Sequence, residues 1–88
     1  MKKEELMSAF EAVLFAGGEP ISIDRLAQVF EISPETAVDT MDELSLKYSQ
    51  NGSGLVIERL ENSYQMATDE KFAPYIKKTF DIKRRTPL

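Results

Sequence analysis

Apolar residues recur at helical spacing along the first part of the chain, and two glycines then interrupt the pattern. The residues concerned are Leu6, Ala9, Phe10, Val13 and Leu14, followed by Gly17 and Gly18. Such spacing is typical of one buried helix face, and glycine commonly ends a helix. The pattern therefore predicts a first helix over about residues 3–16.

A short extended crossing and two more helices are predicted next. Ile21 is the one apolar residue of the crossing, and a short second helix opens at Ile23 or Asp24. Ser33 can cap the amides of a first turn and Pro34 suits the first helical position, so a third helix starts there. Its apolar side holds Ala37, Val38, Met41, Leu44, Ser45 and Tyr48, and its outward side holds Glu35, Asp39, Asp42 and Glu43.

The apolar pattern changes period after the turn at residues 51–54. Residues 55–60 and 64–68 are rich in strand-forming side chains and flank a short loop at 61–63, the spacing of a β-hairpin. Residues 69–80 return to helical spacing, with Pro74 marking a break after an initial turn. The order predicts an α+β, mostly α fold: a winged helix-turn-helix with three helices, a hairpin wing and a closing C-terminal helix.

The composition excludes several kinds of chemistry. The 88 residues include neither Cys nor His, which rules out disulfides, zinc fingers and Cys- or His-based nucleophile pairs. We find no carboxylate pair placed as general acid and base, and no phosphate-binding loop. No catalytic residue, cofactor or metal is predicted, and an enzyme fragment would require a pocket that gathers carboxylates. No stretch of ten residues is wholly apolar, so we expect a soluble cytoplasmic chain without membrane contact.

Charge is distributed unevenly between the body and the end of the chain. Residues 1–76 carry 6 basic and 14 acidic side chains, a net charge of −8, whereas residues 77–88 carry 5 basic and 1 acidic, a net charge of +4. The basic side chains of the tail are either a solvated helix end and linker or a binding arm. They are Lys77, Lys78, Lys83, Arg84 and Arg85.

A winged helix often reads DNA with its third helix, but here that helix is acidic. DNA carries a phosphate charge about every 1.7 Å, so affinity depends on Lys and Arg of the presented face. The face offers four carboxylates against Lys47. Direct DNA binding by this domain is therefore not expected. A DNA-binding transcriptional regulator stays open as the alternative, through Arg59 on the wing and Lys83, Arg84 and Arg85 in the tail.

Two apolar residues lie away from the predicted core, and a third lies at its border. Phe15 is roughly opposite the apolar stripe of the first helix, where the crossing at Pro20 could still cover it. Leu46 lies in the acidic face of the third helix, and Met7 borders the first stripe. Burying such a side chain against a partner contributes about 1.5–3 kcal/mol, although isolated exposed apolar residues are common. Phe15, Leu46 and Met7 are the candidate protein-interface residues.

The chain resembles the N-terminal part of the segregation and condensation protein B (ScpB) family along nearly its whole length. The resemblance is carried by residues 10–22, 26–27, 54–58, 64–68 and 72–75. Its most specific pieces are Leu-Phe-Ala-Gly-Gly-Glu-Pro-Ile-Ser at 14–22 and Ala-Pro-Tyr at 73–75. A generic winged helix would not be expected to share both.

The resemblance implies a bacterial accessory subunit of the SMC-kleisin (condensin-like) complex, acting in chromosome condensation and segregation without catalysis. It further implies a homodimer that binds the kleisin ScpA and, through it, the SMC ATPase, in the nucleoid region of the cytoplasm. Residues 1–82 would form the winged-helix domain. Residues 83–88 would be a basic linker toward a second winged-helix domain absent from this chain, and the natural chain is expected to be longer.

Overall fold

The computed structural model describes the backbone of residues 1–85 and the side chains of residues 1–81. Within these residues the predicted winged helix is confirmed. The elements in chain order are α1 (Lys3–Gly17), β1 (Ile21–Ser22), α2 (Ile23–Phe30), α3 (Pro34–Gln50), β2 (Leu55–Leu60), β3 (Ser63–Thr68), a 3-10 turn (Glu70–Phe72) and α4 (Ala73–Arg85). No helix in the described part of the chain has the length and apolar character needed to cross a bilayer.

Local signals set the helix ends. Gly18 ends α1 in the left-handed region, with φ of 66°, where a side chain would be strained. The Ser22 side chain caps α2 by accepting a hydrogen bond from the Arg25 amide at 3.0 Å. Ser33 does the same for α3 with the Thr36 amide at 3.1 Å. Such caps satisfy amides that have no partner within the helix, which explains why α2 and α3 start at these residues.

The three strands form one antiparallel sheet in the order β1-β3-β2. The wing is the hairpin of β2 and β3, in which Ile57 faces Met66. The predicted loop at 61–63 is one residue too long, because Ser63 pairs with Leu60 on one side and with Ser22 on the other. Because β3 pairs with a strand on each side, it begins at Ser63, one residue earlier than predicted.

One core lies between α1, α2, α3 and the inner face of the sheet. Within it the buried Phe10 packs edge to face against the half-buried Phe30, with ring centroids 5.0 Å apart. The apolar faces predicted for α1 and α3 are those that are buried. The buried apolar residues are Leu6, Phe10, Leu14, Ile23, Leu26, Ala27, Ala37, Met41, Leu44, Ile57 and Tyr64.

Two polar contacts join α1 to α3 beside the core. The Tyr48 hydroxyl donates a hydrogen bond to Glu11 Oε2, and the Glu43 carboxylate lies 2.8 Å from Lys3 Nζ. The hydrogen bond to Glu11, followed by burial and the charge of Glu11, raises the pKa of Tyr48 to about 12. The ion pair is largely exposed, so we assign it little weight in stability.

The C-terminal helix differs from its prediction in two ways. The break before Pro74 is confirmed as the 3-10 turn, but α4 continues to Arg85 instead of ending near Phe80. The helix thus crosses the boundary drawn after Ile82, and the assignment of residues 83–88 as a linker stays a prediction. The expectation that this helix closes the domain is wrong. Its main contacts are with the preceding 3-10 turn, and no residue of 73–81 is buried.

We predict that core and surface leucines differ sharply in their effect on stability. Leu14 is 1% exposed and Leu46 is 57% exposed. Leu14→Ala should lower the free energy of unfolding by about 2–5 kcal/mol because it leaves a cavity. The matched change Leu46→Ala should cost within about 0.5 kcal/mol. Denaturant titration followed by circular dichroism measures both, and equal costs would contradict the core described above.

We also predict that Glu11 controls the ionisation of Tyr48. Between pH 10 and about 12 the unfolded chain loses the Tyr48 proton before the folded chain does, so the free energy of unfolding should fall as pH rises. Glu11→Gln removes the charge and should return the pKa of Tyr48 toward its ordinary value. The tyrosinate absorbance difference between each protein and its Tyr48→Phe counterpart isolates this titration. An unchanged midpoint in Glu11→Gln would show that the charge of Glu11 does not contribute to the raised pKa of Tyr48.

Candidate interaction surface

Two adjoining cavities between α1, α3 and the open end of the sheet form a continuous groove, called here the α1–α3 groove. The first holds about 340 Å³ and is lined by Glu4, Met7, Ser8, Glu11, Leu44, Lys47, Tyr48, Asn51 and Ser53. The second holds about 270 Å³ and is lined by Ser8, Glu11, Ala12, Phe15, Tyr48, Leu55 and Met66. The cavities share Ser8, Glu11 and Tyr48, so the hydrogen bond from Tyr48 to Glu11 lies where they meet.

The groove brings together two of the three predicted interface residues. Met7 lines the first cavity, half-buried against the core, and Phe15 lines the second. Phe15 is 77% exposed, so the crossing at Pro20 does not cover it. With Leu55 and Met66 from the sheet, Phe15 gives this end of the groove an apolar lining. An apolar concave surface of this kind suits a protein partner better than a small polar substrate.

Leu46 is exposed as predicted, but the structure does not bring it to the same surface. Two residues along α3 separate it from Tyr48, which amounts to roughly 160° around the helix axis. It lines neither cavity of the α1–α3 groove. Leu46 is therefore not part of the α1–α3 groove that Met7 and Phe15 line.

The outward face of α3 uses its carboxylates within the molecule. The Tyr64 hydroxyl donates a hydrogen bond to Asp42 Oδ1 at 3.0 Å, and burial followed by that hydrogen bond raises the pKa of Tyr64. The Glu43 carboxylate pairs with Lys3. Sequence reasoning missed the roles of Asp42 and Glu11, whose tyrosine partners lie 22 and 37 residues away. Local spacing carries no signal for such a pairing.

Arg59, the wing residue of the DNA-binding alternative, is surrounded by acidic groups. Its Nε donates to the Glu61 carbonyl at 3.1 Å, and its guanidinium lies 5.6 Å from the centroid of the Tyr64 ring. It shares a surface groove of about 290 Å³ with three carboxylates, those of Asp24, Glu35 and Asp39. A phosphate placed here would meet more negative than positive charge. The other three residues of that alternative, Lys83, Arg84 and Arg85, have side chains outside the described residues.

The carboxylates do not form a metal site in the part of the molecule that is described. Among its side chains no three acidic groups come close enough together to hold a metal ion. Every buried polar side-chain atom in this part has a hydrogen-bond partner. The described surface thus presents a groove that is apolar at its Phe15 end and mixed in character in its first cavity.

Comparison with known proteins places this fold in a family. The family model for the segregation and condensation complex subunit ScpB matches residues 8–88. Segregation and condensation protein B of Clostridioides difficile is 38% identical over 90 aligned positions, covering 100% of this chain and 50% of that protein. The protein of the same name from Listeria monocytogenes is 34% identical and is covered to 46%. The chain spans about half the length of the curated relatives it matches.

Solved structures agree with the family match. ScpB from Mycobacterium tuberculosis superposes with a TM-score of 0.91 at 25% identity, over 100% of this chain and 55% of that one. A dimer of the ScpB N-terminal domain complexed with a ScpA peptide superposes with a TM-score of 0.80 at 30% identity, over 86% of this chain and 95% of that one. The family match, the curated relatives and the fold agree, and the chain belongs to the ScpB family of segregation and condensation complex subunits.

Proposed function

We propose that this domain is the self-associating module of a non-catalytic accessory subunit of the bacterial SMC-kleisin complex. In this role it forms a homodimer, contacts the kleisin ScpA and reaches the SMC ATPase through ScpA. It acts in chromosome condensation and segregation, in the cytoplasm at the nucleoid. It uses no cofactor and performs no chemistry of its own.

One observation carries the proposal. The solved structure that matches this chain over 95% of its own length is a dimer of the ScpB N-terminal domain, and it holds a ScpA peptide. The apolar lining at the Phe15 end of the α1–α3 groove supports self-association, because an exposed concave apolar surface is typical of a protein interface.

We assign the self-association to the end of the α1–α3 groove that carries Phe15, with Met7 contributing from the neighbouring cavity. Covering a phenylalanine that is 77% exposed contributes on the order of 1.5–3 kcal/mol per copy. A two-fold dimer covers this side chain twice, since both copies use the same surface. Leu46 lies elsewhere on α3 and is assigned a separate contact, for which a ScpA segment is the candidate partner.

The first prediction concerns the oligomeric state and its dependence on Phe15. Sedimentation equilibrium over a wide concentration range should give a dimer that persists in high salt, because apolar contacts are not screened by ions. Phe15→Lys should give a folded monomer. Leu46→Lys places the same charge at an exposed position outside the α1–α3 groove and should stay dimeric. A monomeric wild-type chain at every concentration would contradict self-association.

The second prediction concerns ScpA. Purified ScpA from the same organism should co-migrate with the wild-type chain in size-exclusion chromatography with light scattering. Leu46→Lys should weaken this complex at least roughly tenfold, the effect of losing about 1.4 kcal/mol, while leaving the dimer intact. Val29→Lys is the matched control, since Val29 is 62% exposed on α2. If ScpA binds all three proteins equally, the Leu46 assignment is wrong.

The third prediction separates this role from a DNA-binding regulator. A fluorescent DNA duplex titrated with the chain should show no saturable binding at physiological salt, because Asp24, Glu35 and Asp39 surround Arg59. Saturable binding that weakens steeply with salt and disappears in Arg59→Gln or in Arg84→Gln with Arg85→Gln would instead support the regulator. Salt dependence distinguishes the two roles. DNA binding weakens steeply as salt rises, whereas dimerisation is nearly independent of salt.

A further inference from the structure

The helix α4 carries an apolar stripe that the rest of the chain leaves uncovered. Tyr75, Ile76 and Phe80 of α4, together with Phe72 at the end of the preceding 3-10 turn, have the spacing of residues that share one side of a helix. Tyr75 is 69% exposed and Phe80 is 53% exposed, while Ile76 is half-buried. These four residues are called the α4 stripe. The aromatic side chains of Tyr75 and Phe80, with Phe72 beside them, form an apolar patch of the kind found at protein interfaces.

The helix itself needs such a partner to be stable. With 13 residues it is near the length at which an isolated helix is only marginally formed in water. The radius of gyration of 15.6 Å, against about 12 Å for a compact chain of 88 residues, shows that α4 extends away from the body. Tertiary packing usually stabilises a helix of this length. Within its own chain α4 has little tertiary packing.

The charge of the two parts favours a second copy of this chain as the partner. Residues 1–76 carry a net charge of −8 and residues 77–88 a net charge of +4. The charged residues that line the α1–α3 groove are Glu4, Glu11 and Lys47, a net charge of −1, and Lys77 and Lys78 flank the stripe on α4. Placing α4 of one copy against the body of another therefore joins opposite charges. Pairing two α4 helices with each other would bring like charges together.

The position of the stripe permits this exchange in both directions at once. A Cβ added at Gly54 would lie 3.9 Å from the Phe72 ring, so the stripe begins beside Leu55, at the Phe15 end of the groove. The Asp69 amide donates to the Gly54 carbonyl at 2.8 Å and fixes the point where the chain leaves the sheet. Stripe and groove are thus neighbours on each copy. A two-fold axis beside them lets each α4 cover the other copy's groove.

We propose that the α4 stripe of one copy packs into the α1–α3 groove of a second copy, with Phe80 and Tyr75 set against the apolar end marked by Phe15. This inference rests on the proposed self-association and specifies its two surfaces. It makes α4 a structural part of the dimer, so that the groove and the stripe are each covered only in the assembly.

Directed disulfide formation tests the pairing, because the chain has no cysteine of its own. A copy with Ala12→Cys in the groove is mixed with a differently tagged copy with Thr79→Cys, which lies beside the stripe. Mild oxidation should yield the mixed disulfide several-fold above the control mixture of Val29→Cys with Thr79→Cys. Yields equal to the control would overturn the proposal. A predominant disulfide between two Thr79→Cys copies would also overturn it, in favour of two α4 helices packed together.

Sedimentation equilibrium gives an independent test on the 88-residue chain. The double variant Tyr75→Lys with Phe80→Lys should raise the dimer dissociation constant by roughly tenfold or more for each aromatic. Its core amides should keep their hydrogen-exchange protection while those of α4 lose it, which shows that the body is still folded. The matched control, Val29→Lys with Leu46→Lys, adds the same charge to exposed apolar positions outside both surfaces and should dimerise like the wild type.

The outcomes also separate this inference from the proposed function. A wild-type dimer that the α4 double variant leaves unchanged overturns the pairing but keeps self-association. A double variant that stays dimeric and loses only ScpA binding assigns the stripe to the kleisin and likewise overturns the pairing. A wild-type chain that is monomeric at all concentrations overturns both.

Discussion

The position of Tyr64 in the central strand is the constraint on which the rest of the fold depends. Its ring is 1% exposed, and β3 pairs with β1 on one side and β2 on the other, so Tyr64 lies opposite both Ile21 and Arg59. Its hydroxyl reaches Asp42 on α3. A buried hydroxyl without a partner would be costly, so this hydrogen bond fixes the sheet against α3. The wing, the crossing and the third helix therefore hold one another in place.

The same arrangement explains why we do not expect the third helix of this winged helix to bind DNA. The carboxylates that make α3 acidic are used for internal contacts, with Tyr64 in one case and Lys3 in another, or surround the wing arginine. Charge that a DNA-binding relative would present to phosphate is here of the opposite sign. The fold alone therefore does not assign a function, whereas the chemistry of the surface does.

Two of the apolar surfaces left outside the core support the proposal that this domain is an assembly module. One place is the groove between α1 and α3, and the other is the stripe on α4. A domain of this size has one core, and no described residue of α4 is buried in it. In the proposed dimer one intermolecular contact covers both places, because the stripe is flanked by Lys77 and Lys78, the body is acidic, and the groove and the stripe lie next to each other.

Much of the fold could be predicted from the sequence because its signals are local. Helix faces, the cap at Ser33, the hairpin and the break before Pro74 depend on spacing and on backbone preference over a few residues. The acidity of α3 and the lack of Cys and His chemistry followed from composition alone. The interface roles of Phe15, Leu46 and Met7 stay predictions: Phe15 and Leu46 are exposed, and Met7 is half-buried at the border of the core.

Only the tertiary structure decided which distant residues meet. It joined Tyr48 to Glu11 and Tyr64 to Asp42 across 37 and 22 residues, and it put Met7 and Phe15 on one groove but Leu46 on another side. It also directed α4 away from the body, although its stripe has the spacing of a core helix. The spacing of apolar residues shows that a face will be buried. What buries it depends on the packing of elements far apart in the chain, which local spacing does not encode.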